Sequence, residues 1–152
     1  MRTVAGYELD DDPTRIDREV VWRFLSMDAY WGRWRGRDAV EQQLDGAWRV
    51  VGAYATPAGA AATGAMVGFA RALSDGVALA YLADVFVLPD HRGHGIGTAL
   101  VAAMIEDGRG AGFRWMLHTN DAHALYGKFG FAVPDATYLE RSAAQRADVE
   151  LS

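Results

Sequence analysis

The strongest constraint on the fold is a stretch in which an apolar strand leads into a glycine-rich turn and then a helix. Residues 78–88 (ALAYLADVFVL) are almost wholly apolar and stop at Pro89, which is typical of a buried strand. The turn RGHGIG follows at residues 92–97, and residues 98–106 are helix formers with an apolar stripe. Glycines let neighbouring N–H groups converge, and a helix N-terminus adds partial positive charge. The stretch therefore predicts a binding site for phosphate or pyrophosphate.

The spacing of the glycines separates the known families of phosphate-binding turns. A Walker loop requires a Lys directly after the glycines, and none stands there. A Rossmann turn has the pattern G-x-G-x-x-G with an acidic residue ending the next strand, whereas here that strand ends at His118 and Thr119. The pattern R-x-x-G-x-G instead resembles the acyl-CoA-binding motif [RQ]-x-x-G-x-[GA] of the GNAT superfamily of N-acyltransferases.

A second motif strengthens this resemblance. Residues 122–131 (AHALYGKFGF) resemble the A-x-x-L-Y-x-x-x-G-F signature that closes GNAT domains. The similarity extends from about Trp48 to Phe131. A narrower subgroup of small bacterial GNAT proteins without a settled substrate is also similar, through AYLADVFVLP before the glycines and DAH-x-LY after them.

The remaining elements follow the order of that fold, in one domain over residues 1–152. We predict a first strand at 4–9, helices from 13 to about 27 and at 38–44, strands at 48–54, 65–73, 78–88 and 113–119, a helix at 122–129 and a final strand at 138–141. The fold class is thus α/β (α+β mixed). The resemblance implies a central, mostly antiparallel twisted sheet of about six or seven strands with a splayed parallel pair, flanked by about four helices.

Composition excludes several classes of protein. The net charge of −5 argues against nucleic acid as a partner, because phosphate contacts require a basic face. Cysteine is absent, so disulfides, thiolate metal sites and a Cys nucleophile are excluded, and we predict no metal. We also expect no membrane span and no signal peptide, and therefore a cytoplasmic protein.

The resemblance implies that acetyl-CoA is the cofactor. In GNAT proteins the amides of the glycine loop hold the CoA pyrophosphate. The corresponding residues here are Arg92, Gly93, His94, Gly95, Ile96, Gly97 and Thr98. The pantetheine arm would enter between the strands 78–88 and 113–119 and pair with the backbone of Phe86 and Val87 as an added strand does. A strand amide near Val85 would polarise the thioester carbonyl, and Thr119 completes the cofactor-binding set.

The resemblance also implies direct attack by an amine, with Tyr126 protonating the departing sulfur. An alkylamine is protonated at neutral pH, so a base or a water chain must take its proton. Asp84 is the leading candidate, because a carboxylate inside an apolar strand requires an explanation. Some relatives have adjacent Glu and Asp where this chain has Ala83 and Asp84. An Asp84 bonded to backbone or to an arginine stays an equal alternative, and His118 and His123 are further candidate bases.

The acceptor side is predicted from an aromatic and basic segment, residues 30–37 (YWGRWRGR). It could cap a core or line a ligand cleft, and the resemblance favours a lid over the acceptor site. We therefore expect Tyr30, Trp31 and Trp34 to contact the substrate, together with His118 and His123. The arginines of this segment could bind a carboxylate, whereas Asp75, Asp84 and Asp121 could attract a cationic amine.

The predicted function is acetyl-CoA-dependent N-acetylation of a primary amine on a small molecule. Two other readings remain open: a CoA-binding regulator or sensor without turnover, and a protein-lysine acetyltransferase with an open surface groove. A homodimer is plausible, because edge strands and C-terminal segments often pair in GNAT proteins.

Overall fold

The computed structural model describes residues 2–29, 35–56 and 64–143, and these form one sheet with helices packed on both of its faces. The sheet has six strands in the order β1-β2-β3-β4-β5-β6. Their bounds are β1 Arg2–Val4, β2 Tyr7–Asp10, β3 Arg49–Ala55, β4 Met66–Ser74, β5 Leu79–Val87 and β6 Arg114–Met116. Neighbouring strands are antiparallel except for β5 and β6, which are parallel. The mixed, mostly antiparallel sheet predicted from the sequence is confirmed.

Four α-helices accompany the sheet within the described residues. They are α1 Arg18–Arg23, α2 Arg37–Asp45, α3 Ile96–Ile105 and α4 His123–Gly127. A 3-10 turn precedes α1, a π-helical turn (Phe24–Asp28) continues it, and a second 3-10 turn (Pro89–His91) precedes the glycine loop. Asp17 caps α1 by accepting a hydrogen bond from the Val20 amide, as the acid-rich start of this segment favours.

Helix α3 fills one face of the sheet. Leu100, Val101 and Met104 are fully buried against apolar side chains of β2 to β5. Because α3 is apolar on nearly all sides, it can only be stable in the interior. This burial holds the N-terminus of α3 firmly beside the end of β5.

The opposite face packs against α1, its π-helical turn and α2. Phe24 stacks on Phe86 of β5 with ring centroids 4.1 Å apart, and Phe69 of β4 lies 5.7 Å from the same ring. Neighbouring residues such as Val50 and Val51 belong to different faces, as the alternation of a strand requires. Both faces of the central strands are therefore buried.

The structure corrects three predicted elements. The single strand at residues 4–9 is wrong: β1 and β2 form a hairpin that turns at Gly6, whose φ of +86° favours glycine. Residues 113–119 are strand only at β6. No strand forms at residues 138–141, where the exposed Tyr138 and Leu139 have no neighbouring strand to pair with.

The low-complexity patch at residues 58–62, which the sequence favours as a hairpin loop, lies outside the described residues. Within the parts of the chain that are described, we find no helix with the length and apolar character needed to cross a membrane.

Candidate active site

The glycine loop joins the end of β5 to α3 and leaves the helix N-terminus open. Gly93 and Gly95 have φ values of +82° and +80°, a conformation that side chains disfavour. The first helical bond runs from the Ala99 amide to the Gly95 carbonyl at 3.0 Å, so the amides of residues 96–98 have no acceptor within the helix. Among the described residues, no side chain caps this end. Such an N-terminus favours a bound anion.

Side chains around the loop hold it in place. Arg92 donates through Nε to the Val87 carbonyl at 3.1 Å, and His94 lies 3.1 Å from the His91 carbonyl. Ile96 is buried beneath the loop, whereas Thr98 is exposed. The predicted loop residues therefore lie together, but Ile96 can offer a ligand only its backbone.

The two parallel strands separate after a short pairing. Their register ends at the Tyr81–Met116 pair, and from Leu82 onward β5 has no strand partner on that side. A bulge in β5 accompanies the separation, because Phe69 pairs with Phe86 but Arg71 pairs with Ala83. The Leu88 amide donates to the Val67 carbonyl of β4, so the Phe86 backbone, two residues earlier, also faces β4, whereas the backbones of Val85 and Val87 face the gap. The predicted pairing of pantetheine with the Phe86 backbone is therefore wrong, because those groups face the neighbouring strand.

A cleft of about 680 Å³ opens at this separation. Its walls come from the unpaired part of β5, the segment after β6, α4 and the C-terminal segment. The lining residues are Arg35, Gln43, Arg71, 81–85, 118–122, Tyr126 and 140–143. Asp84, Val85, His118, Thr119 and Tyr126 were predicted from the sequence, and the structure brings all five to this one cleft.

Tyr126 lies in the cleft wall with 9% of its surface exposed. Its ring meets Phe131 edge-on at a centroid distance of 5.8 Å. Burial, together with the charge of Asp121, raises the pKa of the Tyr126 hydroxyl. The hydroxyl therefore keeps its proton at neutral pH and can act as a proton donor.

Asp84 is buried between two arginines. Both carboxylate oxygens accept from Arg35 at 2.8 Å, and one also accepts from Nε of Arg71 at 2.9 Å. Burial pushes the pKa of the Asp84 carboxyl upward, but the two guanidinium groups outweigh it and the net shift is downward. This geometry matches the alternative in which an arginine bonds Asp84, and it makes the carboxylate a weak base.

Asp84 also adopts an unusual backbone conformation. Its φ is +53°, and among the described residues no other non-glycine residue has a positive φ. The left-handed conformation costs about 1–2 kcal/mol for an L-residue with a Cβ. The ion pairs and the bulge hold Asp84 in this conformation at the wall of the cleft.

The two predicted histidines have different positions. His118 lies at the rim, where its Nε2 is 2.7 Å from the Glu140 carboxylate and its Nδ1 bonds the Tyr81 hydroxyl. His123 is exposed at the start of α4 and does not line the cleft. The predicted contacts from Tyr30, Trp31 and Trp34 lie outside the described residues.

Sequence reasoning missed several lining residues, above all Arg71, Gln43 and Glu140. Arg71 had a signal of the same kind as Asp84, because it is a charge inside the apolar strand sequence MVGFARAL. Gln43 and Glu140 carry no such signal, since polar residues on a helix and in a C-terminal segment are ordinary.

Comparisons with known proteins agree with this geometry. The Acetyltransferase (GNAT) family model matches residues 19–131. A crystal structure of a GNAT-family protein from Xanthomonas campestris pv. campestris is 33% identical with a TM-score of 0.80, and the match covers 93% of this chain and 96% of that one.

Of two other relatives, one matches over a shorter stretch and the other has lower sequence identity. A Gibberella zeae protein whose name places it provisionally among the acetyltransferases is 41% identical over 64 residues. That match covers 41% of this chain, which thus spans only 36% of the length of this curated relative. The structure of AAC(6')-Iy with a CoA-containing bisubstrate analog has a similar fold, with 20% identity, a TM-score of 0.57 and coverage of 91% and 99% of the two chains.

The fold, the glycine loop and the cleft thus occur together in a chain that the family model matches over well more than half of its length. The chain belongs to the GNAT family of acetyltransferases.

Proposed function

We propose that this chain is an N-acetyltransferase that moves an acetyl group from acetyl-CoA to a primary amine of a small molecule. The observation that carries this proposal is the open N-terminus of α3 at the end of a strand whose edge faces a cleft containing Tyr126. The bisubstrate complex of AAC(6')-Iy, a protein of similar fold, supports CoA as the ligand.

The residues present fit acetyl-CoA. The amides of residues 93–98 would hold its pyrophosphate, because the helix leaves those of residues 96–98 without an acceptor of its own and the glycines relieve crowding in the loop before it. The edge of β5 at Val85 and Val87, where the Val87 carbonyl accepts from Arg92 at 3.1 Å, would hold the pantetheine arm through backbone bonds, with Thr119 lining the opposite wall. When bound, acetyl-CoA supplies an acetyl group activated as a thioester.

In this proposal the amine nitrogen forms the new C–N bond as the C–S bond breaks, so the protein must place two protons. Tyr126 gives its hydroxyl proton to the departing sulfur, since a tyrosine hydroxyl is protonated at neutral pH. The Val85 amide offers a hydrogen bond to the carbonyl oxygen as negative charge develops there.

The second proton leaves the attacking amine. Asp84 was the leading candidate for the base, but its ion pairs with Arg35 and Arg71 lower its proton affinity. His118 lies at the cleft rim, with its Nε2 2.7 Å from the Glu140 carboxylate and its Nδ1 bonded to the Tyr81 hydroxyl. We therefore propose His118 rather than Asp84 as the proton acceptor, acting through its Nδ1, whose partner in this structure is the Tyr81 hydroxyl.

The test is release of CoA from acetyl-CoA across a panel of primary amines. Tyr126→Phe should lower kcat by about 100-fold because the proton donor is lost, while acetyl-CoA affinity should stay within about twofold of wild type. Tyr138→Phe is the matched control, since Tyr138 is exposed and outside the cleft. Unchanged turnover in Tyr126→Phe would remove this residue from the mechanism.

The same assay distinguishes the other readings. Tight binding of acetyl-CoA without turnover of any amine would favour a regulator or sensor. Turnover of lysine within folded proteins, but not of small amines, would favour a protein acetyltransferase. Homodimer formation stays a prediction, and light scattering of the purified chain tests it.

A further inference from the structure

One group of charges in the cleft has no part in the proposed chemistry. The side chains of Arg35, Arg71 and Asp84 are only 3%, 7% and 6% exposed. Arg35 binds both carboxylate oxygens of Asp84, and its Nη1 also donates to Gln43 Oε1 at 2.6 Å. Buried ion clusters contribute little net stability compared with apolar side chains of similar size. Two buried guanidinium groups at the wall of a cleft therefore suggest a ligand.

Arg71 has hydrogen-bond donors that Asp84 does not use. Arg35 already forms a two-pronged ion pair with Asp84, whereas Arg71 contributes only its Nε, at 2.9 Å. Among the described residues, the two terminal nitrogens of Arg71 have no hydrogen-bond acceptor, and Arg71 lines the cleft. With Asp84 already engaged by Arg35, the positive charge of Arg71 is incompletely balanced in a poorly hydrated place.

We propose that Arg71 binds an anionic oxygen group of the acceptor, so that the substrate is an amine that also carries a carboxylate or a phosphate. This inference rests on the proposed function and adds the substrate class. The planar fork of an arginine matches the oxygens of either group with two parallel hydrogen bonds. Asp84 and Arg35 are positioning residues, because they hold the Arg71 guanidinium against the wall.

Other charges on the cleft do not oppose an anion at this point. Glu140 is engaged by His118 at 2.7 Å, and Asp121 is exposed at the outer segment after β6. Arg141, which also lines the cleft, is exposed as well. Arg71 is thus a buried cation of the cleft wall whose two terminal nitrogens have no acceptor among the described residues.

The experiment compares matched acceptors that differ only in the anionic group. The pairs are amino acids against their α-carboxamides, and O-phosphoethanolamine against ethanolamine, each with acetyl-CoA. The first pairs test carboxylate and the second tests phosphate. In wild type we expect one anionic class to have the higher kcat/KM. Arg71→Gln should reduce that preference by about 10- to 100-fold, because a charged hydrogen-bonded pair is lost, and should leave acetyl-CoA affinity unchanged.

Two further variants test the cause of the preference. Arg71→Lys keeps the charge but loses the fork, so it should retain part of the preference. Arg141→Gln removes an exposed cation of the same cleft and should retain nearly all of it. An equal loss in Arg141→Gln and Arg71→Gln would overturn the inference, because the cause would then be the overall charge of the cleft.

A binding measurement separates this inference from the proposed function. Calorimetry on the CoA-loaded protein compares N-acetyl amino acids with their amides, and N-acetylated O-phosphoethanolamine with N-acetylethanolamine. Weaker anion binding in Arg71→Gln supports the anion site even if turnover is absent, in which case only the proposed function fails. Turnover of amines by a wild type that shows no preference for either anionic class would overturn the anion site and leave the proposed function intact.

Discussion

Replacing Asp84 by Asn should destabilise the protein far more than most single changes. The variant keeps the size of the side chain but removes the charge that two buried guanidinium groups share. Removing one partner of a buried ion pair typically costs about 3–5 kcal/mol, because the remaining charge stays buried without compensation. Each kcal/mol lowers the Tm of a chain of this size by about 2–4 °C, so we expect a fall of roughly 6–20 °C.

The assay is thermal and urea unfolding followed by circular dichroism at pH 7, with and without CoA. Asp107→Asn is the matched control, because Asp107 pairs with Arg2 at 2.8 Å but their side chains are 40% and 36% exposed. An exposed pair contributes at most about 1 kcal/mol, so the control should differ little from wild type. The double variant Asp84→Asn with Arg71→Met should regain part of the loss, since one unpaired cation is removed.

The reasoning fails if Asp84→Asn loses no more stability than Asp107→Asn. That result would mean that water or other groups solvate Arg35 and Arg71 well enough without the carboxylate. The argument for an unbalanced charge on Arg71 would fail with it. A double variant no more stable than Asp84→Asn would refute the specific role of Arg71.

Three further predictions concern the pH response, the loop and the core. The pKa of the Asp84 carboxyl is lowered in the folded state, so the stability that its charge contributes is present above the ordinary value of 3.8 and is lost as the pH falls through the folded-state pKa. When unfolding is measured at a series of acid pH values, the free energy of unfolding should therefore fall more steeply below about pH 4 in wild type than in Asp84→Asn. Gly95→Ala should weaken acetyl-CoA binding measured by calorimetry and lower the free energy of unfolding by about 1 kcal/mol, because φ is +80° at this position. Gly127→Ala should change neither quantity in this direction, because φ is not positive at Gly127. Leu100→Ala should cost about 2–5 kcal/mol in urea unfolding, because Leu100 is fully buried between α3 and the sheet; a cost below 1 kcal/mol would show that the core relaxes to fill the space.

Much of the fold followed from patterns within a few residues of one another. The strand at 78–88 was predicted to within a residue at each end, and the second helix was predicted as 38–44 and observed as Arg37–Asp45. Both depend on local periodicity and on a Pro or Gly that ends the element. The hairpin at Gly6 was missed because one glycine in a short alternating run signals a bulge as readily as a turn.

The sequence by itself determined the order of strand, glycine turn and helix, and with it an amide-lined N-terminus on a buried helix. These features depend on the φ values that glycine permits and on the spacing of apolar residues, both of which are local. Only the tertiary structure decided the chemistry of the cleft wall. Arg35 and Asp84 are 49 positions apart, and Arg71 and Asp84 are 13 apart. Whether Asp84 acts as a base or holds two arginines depends on which charges the sheet and the segment just before α2 bring beside it, and no local pattern carries that information.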